Sequence, residues 1–179
     1  MCKRQDKNAQ ANLYNILAPK LLGLCMRYMQ DRDLAEDVMQ DAFVKIFMNL
    51  KSFRGEGSFE GWAKRITVNE ALTALKEKNK IYFERDLSIV ENIDFTESEH
   101  RQISIQEITD CLNELSPGYR IVINLFLLEN FSHAEIAQKL NISESTSRSQ
   151  YARARQVLMK LLKTRIQANS EQAPNYIIG

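Results

Sequence analysis

The stretch SHAEIAQKLNISESTSRSQYARAR, residues 132–155, decides the fold. Ser132 is followed three residues later by Glu135, a capping box for a helix whose apolar positions are Ile136 and Leu140. Asn141 and Ile142 then turn the chain, and Ser143 caps a second helix. The small Ala137 suits a close crossing of two helices, and Ile142 fills the gap left by the turn, which together read as a helix-turn-helix. The second helix opens with Ser, Thr and Arg, the short polar and long basic side chains that a DNA major groove accepts. Ser145, Thr146, Arg148, Ser149 and Gln150 lie in its N-terminal half, where base edges are reached. Arg153 and Arg155 lie farther along, where phosphate contact is expected. An antiparallel helix hairpin with a solvated basic face is the plainer alternative. The caps, the turn length and the clustered arginines favour DNA: residues 141–165 carry six bases and a single acid, Glu144.

The rest of the chain also has helical spacing, and no segment alternates apolar and polar side chains long enough to make a strand. Ser116 and Pro117 start a helix whose inner face is Leu115, Ile121, Val122, Leu125 and Leu128. In the first half, Leu13, Ile16, Leu17, Leu21 and Leu24 recur at helical spacing, with Pro19 as a local kink or a late first turn. A second helix is expected to open at Asp33, with Glu36 completing its cap. Its stripe is Leu34, Val38, Phe43, Ile46, Phe47 and Leu50. Gly55 and Gly57 make a loop of residues 51–58, and a third helix follows to about residue 78. The fold class is therefore all-α: two small helical domains, residues 9–78 and 105–163, joined by an acidic flexible linker, residues 79–104. Residues 164–179 are expected to be a loose polar tail.

Bulk properties exclude several classes. A hydrophobic fraction of 44% among 179 residues is enough for a real core. No apolar run approaches the ~20 residues of a membrane span, and no apolar stretch follows the charged N-terminus, so neither membrane insertion nor a secretory signal is expected. Cys2, Cys25 and Cys111 are odd in number and widely spaced, which argues against a disulfide scaffold or zinc site and fits a cytoplasmic protein. His100 and His133 have no Cys/His cluster around them, and both read as structural rather than metal-binding. No nucleophile–base set or phosphate loop is present, so no enzyme, cofactor or catalytic residue is expected. The net charge of +1 hides a division: residues 1–78 carry 13 bases against 10 acids, and residues 79–104 carry 3 against 6.

Residues 53–78 interleave aromatics with bases: Phe53, Arg54, Phe59, Trp62, Lys64 and Arg65, with Asn69 among them. Single-stranded nucleic acid is held by this combination, because bases stack on aromatic faces while cations follow the phosphates. Phe59 and Ile66 also fit a simple core stripe, and the ring of Trp62 suits either a core or a wedge beside a melted duplex.

Several of these segments resemble a known family. DVMQDAFVKIF (37–47) and FRGEGSFEGWAKRITVN (53–69) are similar to conserved region two of the extracytoplasmic-function sigma factors. LNELSPGYR (112–120), FSHAEIA (131–137) and ISESTSRS (142–149) are similar to region four, so the likeness spans about residues 9–163 in the right order. The resemblance implies a non-enzymatic subunit that gives core RNA polymerase its choice of promoter DNA. It implies that Asp37, Gln40, Asp41, Phe43 and Phe47 contact the largest polymerase subunits. Arg54, Trp62, Lys64, Arg65 and Asn69 match the part that opens the −10 element, with Asn69 where the family places a base-pocket amide. Ser145, Thr146, Arg148, Ser149, Gln150, Arg153 and Arg155 match the helix that docks on the −35 element. Members of the family are often held by a membrane-linked inhibitor, which makes an anti-sigma factor a further expected partner.

Two departures leave the −35 preference open: Gln150 stands where many members carry arginine, and Ser147 where valine is common. The residues alone also admit a helix-turn-helix regulator that binds duplex DNA without polymerase. A purely structural adaptor would leave the arginine cluster unexplained.

Overall fold

A computed structural model describes residues 7–77 and 104–171, and every regular element among them is a helix. They belong to two compact units, divided between residues 81 and 82. The expected acidic linker therefore lies outside the described residues, except for Ser104.

The first unit contains α1 (Lys7–Met29), α2 (Arg32–Asn49) and α3 (Phe59–Glu77), each packed on the other two. Leu17, Leu21, Leu24 and Tyr28 of α1 meet a buried set rich in small residues: Ala35 and Ala42 of α2, and Ala63 and Ala71 of α3. Alanine at these positions lets helix axes approach without losing helix propensity. Pro19 sits well inside α1 on an exposed face, not in a first turn. Gln30, in the left-handed region at φ 59°, helps reverse the chain between α1 and α2.

Helix α2 starts earlier than its sequence suggests. Asp31 is the cap, its carboxylate accepting the amide hydrogen of Leu34 at 2.9 Å. Glu36 does not complete a box with Asp33; it accepts from Arg32 Nε at 2.8 Å. Ser58 caps α3 by accepting from the Gly61 amide at 3.0 Å, and a side chain at Gly61 would crowd that same hydroxyl. Surface ion pairs tie the three helices: Lys20–Glu60 at 2.6 Å between α1 and α3, and Lys45–Glu70 at 2.7 Å between α2 and α3.

The second unit contains α4 (Ile105–Glu114), α5 (Pro117–Ile123), a π-helical turn (Asn124–Leu128), α6 (His133–Leu140) and α7 (Glu144–Glu171). Its core joins Cys111, Leu112 and Leu115 to Tyr119 and Ile123, and closes against Ala154, Leu158 and Leu162 of α7. Arg120 is buried and donates to the carbonyls of Asn113 (3.3 Å) and Leu115 (3.1 Å). It thereby satisfies carbonyls that the end of α4 leaves open. In the π turn the Glu129 amide donates to the Asn124 carbonyl at 3.0 Å. The wider turn rotates the chain, so Leu128 faces solvent rather than the inner face expected for it.

The loose tail expected from residue 164 is corrected as well. Helix α7 continues to Glu171, because the apolar spacing Leu158, Leu162, Ile166 persists. Arg165 anchors this extension to α4, reaching Asp110 at 3.2 Å and also pairing with Glu114. Residues 172–179 lie outside the described part.

Candidate nucleic-acid interface

Helix α6 opens with the expected reciprocal box. Ser132 Oγ accepts from the Glu135 amide, and the Glu135 carboxylate accepts from the Ser132 amide at 2.8 Å. Asn141 ends it in the left-handed region at φ 54°, and the Ile142 amide donates to the Ala137 carbonyl at 3.0 Å. Ser143 then caps α7, accepting from the Thr146 amide at 3.0 Å and lying against the hydroxyls of Ser145 (2.8 Å) and Thr146 (2.7 Å). The two helices and the three-residue turn between them, Asn141 to Ser143, are therefore built from local chemistry.

The orientation of α7 sorts the expected DNA contacts. Ser145, Arg148, Ser149 and Arg155 are exposed, while Thr146 and Arg153 are half-buried. Gln150 is only 4% exposed and Ser147 is fully buried. Both lie on the stripe that continues through Ala154 into the core, so Gln150 is removed from the set that can meet base edges. The two departures from the family pattern are thus at inward positions, where they bear on packing.

Ser147 has a specific partner that the sequence did not reveal. His133 Nδ1 lies 2.9 Å from the Ser147 hydroxyl, and the imidazole stacks on Phe126 with centroids 4.4 Å apart and planes inclined 14°. Tyr151 packs against both rings. His133 is therefore at the crossing of α6 and α7. Burial pushes its pKa below the usual value, and the nearby Arg148 charge adds to this against a smaller opposing effect of Glu144.

In the first unit, Asp37, Gln40 and Asp41 are exposed along α2. Phe43 is not: it is 3% exposed, with its ring 4.5 Å from that of Tyr14 and 5.8 Å from that of Phe47. It is a core residue, and Phe47 beside it is half-buried. The apolar side chains that do reach solvent are Val44, 56% exposed, and Met48, 77% exposed. Their signal was available, since positions 37, 41, 44 and 48 follow helical spacing.

Phe53, Phe59 and Trp62 form a mutual cluster with centroids 5.2–5.5 Å apart. Trp62 is half-buried, so its ring is partly held by the phenylalanines and partly presented. Arg54 is exposed on the adjoining loop, which Gly55 (φ 80°) and Gly57 (φ 77°) bend through conformations other residues rarely adopt. Arg65 and Asn69 are exposed and follow Trp62 at helical spacing along one face. Lys64 does not join them. It pairs with Glu60 at 2.9 Å, and Glu60 also binds Lys20 of α1, so this lysine lies on the other side of α3. The two ammonium groups hold the Glu60 carboxyl down at about 2.

Cys25 and Cys111 are buried and free, and burial pushes the Cys25 thiol up to about 12. Among the described residues no cluster of His, Cys, Asp and Glu could hold a metal ion, and no helix is long and apolar enough to cross a membrane.

Comparison with known proteins supplies the context for these faces. Residues 13–81 match the family model Sigma-70 region 2, and residues 105–158 match Sigma-70, region 4. RNA polymerase sigma-H factor of Pseudomonas aeruginosa is 29% identical over 174 residues, covering 90% of each chain. The ECF RNA polymerase sigma-E factor of Escherichia coli K12 is 32% identical over 159 residues, covering 78% of each. Among solved structures, the sigma factor RpoE in complex with the anti-sigma factor NepR from Bartonella quintana superposes with a TM-score of 0.55. The identity there is 24%, over 86% of this chain and 96% of that one. As a sigma factor, the chain is a non-catalytic partner of core RNA polymerase and directs initiation at specific promoters, which removes the polymerase-independent regulator as an alternative. The chain belongs to the extracytoplasmic-function sigma factors of the sigma-70 family.

Proposed function

We propose that the two faces of the first unit divide the work of initiation, and that the second unit places them on the promoter. The exposed strip of α2 (Asp37, Gln40 and Asp41, with Val44 and Met48 in place of Phe43) binds core polymerase. Trp62, Arg65 and Asn69, with Arg54 on the loop beside them, hold the melted −10 strand. Ser145, Arg148 and Ser149 meet −35 base edges while Arg153 and Arg155 meet phosphates.

The observation that carries this reading is the segregation of charge within one small unit. An α2 face bearing Asp37 and Asp41 repels nucleic acid, whereas its apolar Val44 and Met48 suit a protein partner with basic groups at its rim. The α3 face has the opposite character, with arginine, an amide and an aromatic ring. Extruding a base costs a few kcal/mol, which stacking and the Asn69 amide offset. An anti-sigma factor and a cytoplasmic site of action belong to the same proposal. The Bartonella relative, solved in complex with an anti-sigma factor, supports the first, and the polymerase partner supports the second.

Run-off transcription from a cognate promoter with purified core enzyme tests the allocation. Met48→Glu should abolish transcription by loss of core binding, and Arg65→Ala by loss of opening with core binding intact. Equal loss of core binding in both variants would refute the division.

A further inference from the structure

Helix α7 carries six basic residues, yet an acid stands at its first position. That acid, Glu144, is exposed, and its carboxylate accepts from Arg148 Nη2 at 2.5 Å, one turn farther on. Capping does not explain it. Ser143 already satisfies the Thr146 amide, and the third helical position, from which a capping-box acid reaches back, is occupied by Thr146. An acid in the first turn suits the positive end of the helix dipole, but on a helix set against duplex DNA it also weakens nonspecific binding to phosphates, which a base-directed contact would offset.

We propose that Glu144 and Arg148 form one reading unit for a cytosine and a guanine in the −35 duplex, with Glu144 as a specificity-determining residue. A carboxylate can only accept, and in the major groove the cytosine N4 amino group is the donor it suits. Arg148 presents its donors to guanine O6 and N7. Their positions are about 6 Å apart along the helix, so the two bases fall within about two base-pair steps of ~3.4 Å. In the free protein the two side chains satisfy each other. On the wrong sequence, Glu144 meets an acceptor and holds Arg148 back, so the pair rejects as well as selects. This inference rests on the assignment of α7 to duplex DNA.

Selection of binding sites tests it, using holoenzyme reconstituted with purified core polymerase and duplexes randomised across the −35 region. The wild type should select cytosine at one position and guanine within two steps of it. Glu144→Ala should erase the cytosine preference, a loss of discrimination of about tenfold. It should keep every other preference and bind nonspecific duplex at least as well as the wild type. Glu144→Gln should shift that position toward adenine, which an amide pairs bidentately. A base profile unchanged in Glu144→Ala, or an affinity change uniform over all sequences, would overturn the role of Glu144. Arg148→Ala separates that role from the placement of α7: it should erase the guanine preference if α7 reads the duplex. A wild type with no base preference in this region, or Arg148→Ala without effect, would overturn the assignment of α7 itself.

Discussion

The imidazole of His133 meets the hydroxyl of Ser147 at 2.9 Å, joining the two helices of the helix-turn-helix at their crossing. The ring is stacked on Phe126, and burial together with the Arg148 charge lowers its pKa. Ser147→Ala should lower the stability of the second unit by about 1 kcal/mol in urea melts, the usual worth of such a bond. The His133→Gln, Ser147→Ala cycle should show coupling between the two positions.

The same pair gives a pH dependence with a definite sign. His133 has a pKa below 6.5 in the folded chain, so between that ordinary value and the depressed one the unfolded state binds more protons. Stability of the unit should therefore fall as pH drops through 6.5, over and above the carboxylate effects seen at lower pH. His133→Gln should flatten that part of the profile, as followed by thermal melts between about pH 7.5 and about pH 5.

Gln150 and Arg148 should respond in opposite ways. Gln150 is buried, so Gln150→Ala should cost roughly 1–2 kcal/mol of stability and leave promoter preference unchanged. Arg148→Ala should leave stability nearly unchanged and alter promoter preference. Footprinting on −35 variants alongside melts would distinguish them.

On α2, Phe43→Ala should destabilise the first unit by about 3–5 kcal/mol, because the ring fills the space between Tyr14 and Phe47. Val44→Glu and Met48→Glu change exposed positions, so melts should move by under about 0.5 kcal/mol. Their core-polymerase affinity, measured by fluorescence anisotropy, should fall at least tenfold.

Lys64 and Arg65 are neighbours in sequence with different surroundings, Lys64 paired with Glu60 and Arg65 exposed. The Lys20–Glu60–Lys64 group joins α1 to α3, and its contribution should persist above the ordinary carboxyl range and vanish as pH falls through about 2. Lys64→Ala should therefore affect acid stability more than promoter opening, and Arg65→Ala the reverse.

Much of this was legible in the sequence because local chemistry wrote it. The box at Ser132–Glu135 and the cap at Ser143 are short-range bonds that residue types alone announce. What the sequence hid was rotation. The stripe of Leu34, Val38, Phe43, Ile46 and Phe47 places Phe43 on the inner face, but how far that face extends toward a partner surface is not legible from spacing, and the packing of Phe43 on Tyr14 shows it to be core. Gln150 was misplaced for a related reason: a polar side chain on the inner face carries no apolar signal. Lys64 and Arg65 could not be separated without knowing that Lys20 of α1 would face Glu60. The turn at Asn124–Leu128 left no mark in periodicity, since a single added residue per turn shifts only the residues after it.

The proposed division gives one small unit a polymerase face and a separate strand-trapping face. Permanganate reactivity of −10 thymines, measured with Asn69→Ala holoenzyme at saturating core, tests it most directly. Core affinity should stay within about twofold of wild type and reactivity should fall about tenfold or more, as loss of one flipped-base contact implies. Wild-type reactivity in that variant, or loss of core affinity in step with reactivity, would contradict it.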